Sequence, residues 1–200
     1  MSKVIDYYLF VNSPWTYLGH RRLAEIARAA GASIRVRPMD AAKVFPVSGG
    51  LPLAQRPKQR QAYRLVELHR WRDFLGVPIN IQPKFFPTPT DLAAKMVVAV
   101  NDDAAPAPAF DLAGRLLTAV WAEERNIADE ATLVQIANEA GLDSTAVLAR
   151  AKSAETQARY DAFSQEAIDR KVFGAPTYFY RDEPFWGQDR LDFLQRALAR

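Results

Sequence analysis

The amino-terminal part of this 200-residue chain has a pattern that leaves few folds open. Residues 4–11 are almost continuously apolar and rich in β-branched and aromatic side chains, which indicates a buried central strand. Ser13 and Pro14 follow as a favoured N-cap and a favoured first helical residue, and an apolar helical face continues to Gly31. Residues 34–37 then alternate like a second strand. The chain therefore begins with a strand–helix–strand unit.

The middle of the chain is predicted to be helical. After a Gly/Pro-rich loop at residues 45–52, apolar residues recur at helical spacing almost to residue 165. Asp129 and Asp143 are typical N-caps of two of these helices. Another of the predicted apolar helical faces consists of Tyr63, Val66, Trp71, Phe74 and Leu75.

Strand character returns near the carboxyl end. Residues 177–180 and 185–186 form two short strands, and Gly187-Gln188-Asp189 is expected to cap a final helix. A βαβ start and a ββα end around a helical block predict an α/β protein with a thioredoxin-like fold and an inserted all-helical domain. Residues 1–39 and 166–200 are assigned to the discontinuous thioredoxin-like domain, and residues 40–165 to the helical insertion.

Composition restricts the function. The chain contains no cysteine, so it cannot carry out thiol–disulfide exchange with its own side chains. Its net charge of +3 comes from an even spread of 26 basic and 23 acidic residues, which favours anionic small ligands mildly and gives little support to nucleic acid as a partner. The first residues lack the apolar stretch of a signal peptide, and no apolar run approaches the roughly 20 residues that span a bilayer. We expect a cytoplasmic protein with no membrane partner.

Three positions invite a chemical interpretation. Ser13 is either an ordinary N-cap or a hydrogen-bond donor to a ligand at the start of a helix. Pro176 precedes a strand, where it either has a cis peptide bond or begins an edge strand in the trans form. His20 is seven residues beyond Ser13 on the same helix, about 10 Å away, too far to be a base for a nucleophilic serine. No cluster with metal-ligand spacing is present, and no metal is predicted.

Four segments in this order resemble the family of 2-hydroxychromene-2-carboxylate isomerases, which are related to kappa-class glutathione transferases and DsbA-type oxidoreductases. The resemblance covers the whole chain, and the segments that carry it are Phe10–Gly19 (FVNSPWTYLG), Leu68–Pro78 (LHRWRDFLGVP), Arg170–Thr177 (RKVFGAPT) and Phe185–Leu191 (FWGQDRL). It implies a homodimeric, glutathione-dependent isomerase that interconverts 2-hydroxychromene-2-carboxylate and trans-o-hydroxybenzylidenepyruvate in bacterial aromatic (naphthalene-type) degradation.

The resemblance also implies where glutathione binds. Ser13 would activate the glutathione thiol by donating a hydrogen bond to the thiolate, at a helix N-terminus that favours the anion. The backbone of Ala175, before Pro176, would pair with the cysteine backbone of glutathione. Gln188 and Asp189 would hold its γ-glutamyl end. Kappa-class transferases have an asparagine near the position of Gly50, so this chain departs from the kappa pattern there.

Substrate residues are predicted from residue chemistry. Lys43, in a loop opposite the expected site, is the candidate contact for the carboxylate of a small aromatic substrate. Four aromatic side chains either form a slot for its ring or pack in the core, namely Trp15, Phe85, Phe86 and Trp186. A group of basic residues either steers the carboxylates of substrate and glutathione or, for most of its members, forms a solvated face; its members are Arg56, Lys58, Arg60, Arg64, Arg70 and Arg72.

Two other functions stay open. A kappa-type transferase would conjugate glutathione to an electrophile and consume it, whereas the isomerase would recycle it. A thioredoxin-like binding module would have no catalytic activity and no affinity for glutathione at millimolar concentrations.

Overall fold

The computed structural model describes residues 3–200, so the first two residues of the predicted segment 1–39 lie outside the described residues. The strands are β1 (Lys3–Leu9), β2 (Ala32–Pro38), β3 (Thr177–Tyr180) and β4 (Glu183–Trp186). The helices are α1 (Pro14–Ala30), α2 (Ala41–Ser48), α3 (Lys58–Leu75), α4 (Asp91–Ala99), α5 (Ala107–Trp121), α6 (Glu130–Glu139), α7 (Ser144–Ala151), α8 (Ala154–Asp169) and α9 (Leu191–Leu198). Short 3-10 helices lie at Leu53–Gln55 and Gln188–Arg190.

The four strands form one mixed sheet in the order β2-β1-β3-β4. β1 pairs with β2 in parallel and with β3 in antiparallel orientation, so that Tyr7 lies opposite both Val36 and Tyr178. The continuous apolar character of β1 is explained by this central position, where both of its faces are covered. The sheet confirms the predicted thioredoxin-like fold. It also shows that β3 is an internal strand, so the alternative in which Pro176 begins an edge strand is wrong.

Helix α1 begins and ends where the sequence predicted. The Ser13 side chain accepts a hydrogen bond from Thr16 N at 3.3 Å, and Pro14 occupies the first turn. Gly31 ends the helix with φ 62°, and its N–H donates to the carbonyls of Ala27 and Arg28. The N-terminus of α1 thus lies directly after β1, at one end of the central strand.

The N-caps predicted in the helical block are confirmed, but one loop is not. Asp129 accepts a hydrogen bond from Thr132 N at 2.8 Å, and Asp143 accepts one from Ala146 N at 3.0 Å. The predicted loop at residues 45–52 is wrong in its first half, because α2 runs to Ser48 and ends only at Gly49 (φ 74°). Pro46 lies inside this helix, where it has no N–H to donate to the carbonyl four residues earlier.

Of the apolar residues predicted on α3, only Trp71 and Leu75 pack against the core. Tyr63, Val66 and Phe74 are 58%, 44% and 77% exposed, and Leu68 is the only fully buried side chain of this helix. Helical spacing therefore identified a helix correctly but not what its faces contact.

The expectation that Gly187-Gln188-Asp189 caps the last helix is also wrong. Gln188–Arg190 forms its own 3-10 turn before α9, and no side chain caps that turn. The sheet and most of the helices share one hydrophobic core, and α8 runs across the predicted domain boundary at residue 165. The division into two domains stays a prediction. Among residues 3–200, no helix combines the length and the apolar character needed to cross a membrane.

Candidate active site

A cavity of about 520 Å³ lies where the first turn of α1, one face of α3 and the segment around the 3-10 turn at residues 188–190 meet. A volume of this size accommodates a small organic ligand. Aromatic and charged groups make up most of its wall, which consists of Trp15, Arg56, Gln59, Arg60, Tyr63, Arg64, Glu67, Trp71, Ala175, Trp186, Gly187, Gln188, Asp189 and Arg190.

Five predicted site residues line this cavity, although they come from three distant parts of the sequence. They are Trp15, Ala175, Trp186, Gln188 and Asp189. Ser13 does not line the cavity itself, because its side chain is buried behind the wall. Its hydroxyl donates to the carbonyl oxygen of Ala175 at 3.5 Å while it caps α1. Ser13 is therefore an N-cap in this structure and also lies next to a residue of the cavity wall.

The segment at Ala175 and Pro176 connects the parts of the wall. The peptide bond between these residues is cis. The Pro176 carbonyl accepts a hydrogen bond from Gly187 N at 2.9 Å, which joins the segment to the 3-10 turn. Within residues 3–200 the N–H of Ala175 donates no hydrogen bond. One backbone donor at the cavity wall is thus free to pair with an extended ligand.

Gly187 shapes the other side of the wall. Its φ of 95° lies in a region that side chains rarely adopt, and a β-carbon there would overlap Oδ1 of Asp189. Gln188 is buried with its Cβ against α1, whereas the exposed carboxylate of Asp189 pairs with Arg190 at 2.6 Å. Glycine at position 187 is required for this arrangement.

Helix α3 contributes the part of the site that sequence reasoning missed. Arg56, which precedes α3, and Arg60 and Arg64 on α3 are spaced by four residues, and all three line the cavity together with Tyr63 and Trp71 of the helix. Burial and the nearby charge of Arg60 lower the pKa of Arg56. The spacing was visible in the sequence, but these residues were assigned to a mostly solvated face. The other basic residues of that group, Lys58, Arg70 and Arg72, do not line the cavity.

Lys43 requires a correction. It lies in α2 rather than in a loop, and its ammonium group pairs with Asp161 Oδ1 at 2.6 Å, away from the cavity wall. The reason is that α2 packs on α8, which supplies the aspartate.

Two other predicted positions, Phe85 and Phe86, also lie outside the wall. Phe86 packs on Trp121 instead, with ring centres 4.7 Å apart. A side chain at Gly50 would overlap the ring of Phe45, so this position has no room for the asparagine of kappa-class enzymes.

His20 is separated from this site by its packing. Its ring stacks on Phe110 with centres 3.9 Å apart, and Nδ1 lies 3.1 Å from the Tyr7 hydroxyl. Because burial disfavours the charged imidazolium, the pKa of His20 is lowered to about 4.

This shift predicts a loss of stability in acid. Between pH 6.5 and about 4 the unfolded chain binds a proton at position 20 that the folded chain does not, so stability falls as the pH decreases through this range. We expect the free energy of unfolding of the native protein, relative to that of His20→Gln, to fall by about 2 kcal/mol between pH 7 and about pH 4.5. Urea unfolding of both proteins at the two pH values measures it. A difference in unfolding free energy that does not change with pH would contradict the lowered pKa of His20.

Comparisons with known proteins agree with the geometry. A family model for the DSBA-like thioredoxin domain matches residues 4–199. The chain is 32% identical over 198 residues to a 2-hydroxychromene-2-carboxylate isomerase of Pseudomonas putida, covering 98% of this chain and 95% of the relative. A solved structure of a 2-hydroxychromene-2-carboxylate isomerase superposes with a TM-score of 0.83 at 30% identity, covering 98% of this chain and 95% of the other.

A more distant relative is glutathione S-transferase kappa 1 of Rattus norvegicus, which is 23% identical over 98% of this chain and 91% of its own length. The resemblance found in the four sequence segments is therefore confirmed. The similarity to named isomerases supports isomerase activity for this chain. The chain belongs to the DsbA-like thioredoxin domain family and, within it, to the 2-hydroxychromene-2-carboxylate isomerases.

Proposed function

We propose that this protein is a glutathione-dependent isomerase that interconverts 2-hydroxychromene-2-carboxylate and trans-o-hydroxybenzylidenepyruvate. The observation that carries the proposal is the junction of Ser13 with Ala175 at the wall of a positively charged cavity, in a chain without cysteine. A thioredoxin-like site without its own thiol supports the use of a thiol from a bound molecule.

The cavity residues fit glutathione group by group. The free N–H of Ala175 suits the peptide backbone of the tripeptide. The exposed carboxylate of Asp189 suits the ammonium group of the γ-glutamyl end, beside the buried Gln188. Arg56 and Arg60 lie at the wall and suit a ligand carboxylate.

The protein's contribution to the chemistry is electrostatic. When bound, glutathione would supply a thiolate nucleophile for reversible addition to the conjugated system of the ring-opened acid. Ser13 would stabilise the thiolate by turning its hydroxyl hydrogen to the sulfur from the Ala175 carbonyl, to which it donates at 3.5 Å in this structure, and the N-terminus of α1 would stabilise the same negative charge. Trp15 and Trp186 offer aromatic surfaces for the substrate ring.

An ultraviolet time course with purified 2-hydroxychromene-2-carboxylate, with and without glutathione, tests this function. We expect approach to equilibrium only when glutathione is present, and free thiol that is unchanged at the end.

The similarity to the kappa 1 transferase favours conjugation as the second candidate, which would consume thiol. A spectrum that does not change, in a protein without measurable affinity for glutathione at millimolar concentrations, would contradict both activities and leave a binding module.

A further inference from the structure

Arg64 is a charged side chain at the cavity wall without a counter-ion. Its Nη2 is shielded from solvent and has no hydrogen-bond partner, and no carboxylate of residues 3–200 forms an ion pair with it. The acidic groups of the wall are engaged elsewhere, since Glu67 pairs with Arg70 at 2.7 Å and Asp189 pairs with Arg190 at 2.6 Å. The nitrogens of Arg64 that the cavity can reach are therefore Nε and Nη1, which form no hydrogen bond within residues 3–200 and are not shielded as Nη2 is.

An unpaired guanidinium group in such a position is energetically unfavourable. Burying a charge without a partner is unfavourable, and here burial, followed by the charge of Arg56, lowers the pKa of Arg64 to about 10. A ligand carboxylate at the accessible donors of Arg64 would reduce this cost, because hydrogen bonds between a guanidinium group and a carboxylate are charge-assisted. The unpaired arginine is thus suited to a ligand that brings its own negative charge.

Two aromatic rings contact the guanidinium group of Arg64. Its guanidinium carbon lies 5.3 Å from the ring centre of Phe86 and 5.6 Å from that of Trp121. The indole N–H of Trp121 donates to the carbonyl of Asn12, the residue before Ser13, at 3.1 Å. The same aromatic side chain therefore contacts both Arg64 and the turn that precedes the start of α1.

The neighbouring arginines are less suited to this role. Arg56 donates through Nε to the Leu51 carbonyl at 2.8 Å, and Arg60 is exposed to water, where ion pairs contribute little. Of these three arginines, Arg64 alone combines a solvent-shielded guanidinium nitrogen with the absence of any hydrogen-bond partner among residues 3–200.

We propose that Arg64 binds the carboxylate of the substrate and makes the site select rings that carry a carboxylate. This inference rests on the proposed function for the identity of the substrate, but the carboxylate-binding role is measurable without turnover. A site whose polar group stays unpaired with the wrong ligand discriminates strongly against it.

The test is a comparison of two unreactive rings, chromone-2-carboxylate and chromone, which differ by the carboxylate. Binding to the full-length protein is titrated by calorimetry, with glutathione titrated separately. We expect the native protein to prefer the carboxylate by about 10- to 100-fold, the range of a charge-assisted hydrogen bond. Arg64→Leu should abolish this preference and leave chromone affinity, glutathione affinity and cooperative unfolding unchanged.

Two variants make the result specific. Arg64→Lys keeps the charge but not the paired donors, so it should retain only part of the preference. Arg72→Leu removes the same charge from α3 at a side chain that pairs with Asp73 and does not line the cavity, and it should keep the full preference. In turnover, Arg64→Leu should raise KM more than it lowers kcat.

The outcomes separate this inference from the proposed function. A native preference that Arg64→Leu leaves intact, a native protein without preference, or a loss of glutathione affinity instead would each overturn the role of Arg64. If glutathione-dependent turnover persists in those cases, the proposed function stands. If turnover is absent while the preference depends on Arg64, the proposed function fails and the carboxylate site remains.

Discussion

Replacing Ser13 with alanine is expected to lower glutathione-dependent turnover by about 100-fold, the size of effect seen when one preorganised donor to a reacting anion is removed. The free energy of unfolding should fall by only about 1 kcal/mol, the usual cost of losing an N-cap. The two effects differ in origin. As a cap, Ser13 accepts one hydrogen bond from Thr16 N, whereas in the proposed role it donates to a thiolate, and water cannot replace that donor. Steady-state kinetics and urea unfolding of the same preparation measure both.

The chain offers a matched control in Ser153. This serine caps α8 with φ −77°, the same value as Ser13, and accepts a hydrogen bond from Thr156 N at 3.1 Å. It does not line the cavity. Ser153→Ala should lose a similar amount of stability and keep full turnover. If both variants kept full turnover, Ser13 would be a cap and nothing more.

Replacing Trp121 with alanine is expected to destabilise the protein by about 3–5 kcal/mol, the largest effect on stability among the changes considered. Trp121 is fully buried and is the largest such side chain in the core. Its removal would leave a cavity beneath Phe86 and Arg64, and the Asn12 carbonyl would lose its indole donor. The turn before Ser13 would lose a contact that positions it, so we also expect turnover to fall in the fraction that remains folded.

Two variants separate packing from the hydrogen bond. Trp121→Phe keeps much of the volume but not the donor, so it should cost less than the alanine change and still lower turnover. Trp186→Ala removes a tryptophan that is 51% exposed and should cost less than about 1 kcal/mol. Urea unfolding midpoints rank the three proteins, and a Trp121→Ala protein as stable as Trp186→Ala would contradict the assigned packing.

The charge of the cavity wall connects the two proposals. Four of its residues are arginines, and its two acids are already paired, so the wall favours anions. Glutathione and the proposed substrate both carry carboxylates. The structure offers separate partners for them, with exposed Arg60 at one place and shielded Arg64 at another.

The sequence by itself determined the features that depend on neighbouring residues along the chain. The apolar run of β1, the cap at Ser13 and the stop at Gly31 each act within a few residues, and all three are confirmed. The order of strands and helices, together with the four family segments, was sufficient to predict the fold. The absence of cysteine excluded disulfide chemistry without any structure.

Only the tertiary structure decided what each helical face contacts. The spacing of Arg56, Arg60 and Arg64 was visible, but whether that face meets water or a cavity depends on α1 and the 3-10 turn at residues 188–190. Lys43 was misplaced because its partner, Asp161, is 118 residues away. The contact of Trp121 with Asn12 joins residues 109 positions apart. Periodicity shows which side of an element is apolar, whereas a site is made by contacts between distant segments, and these are set by how the elements pack.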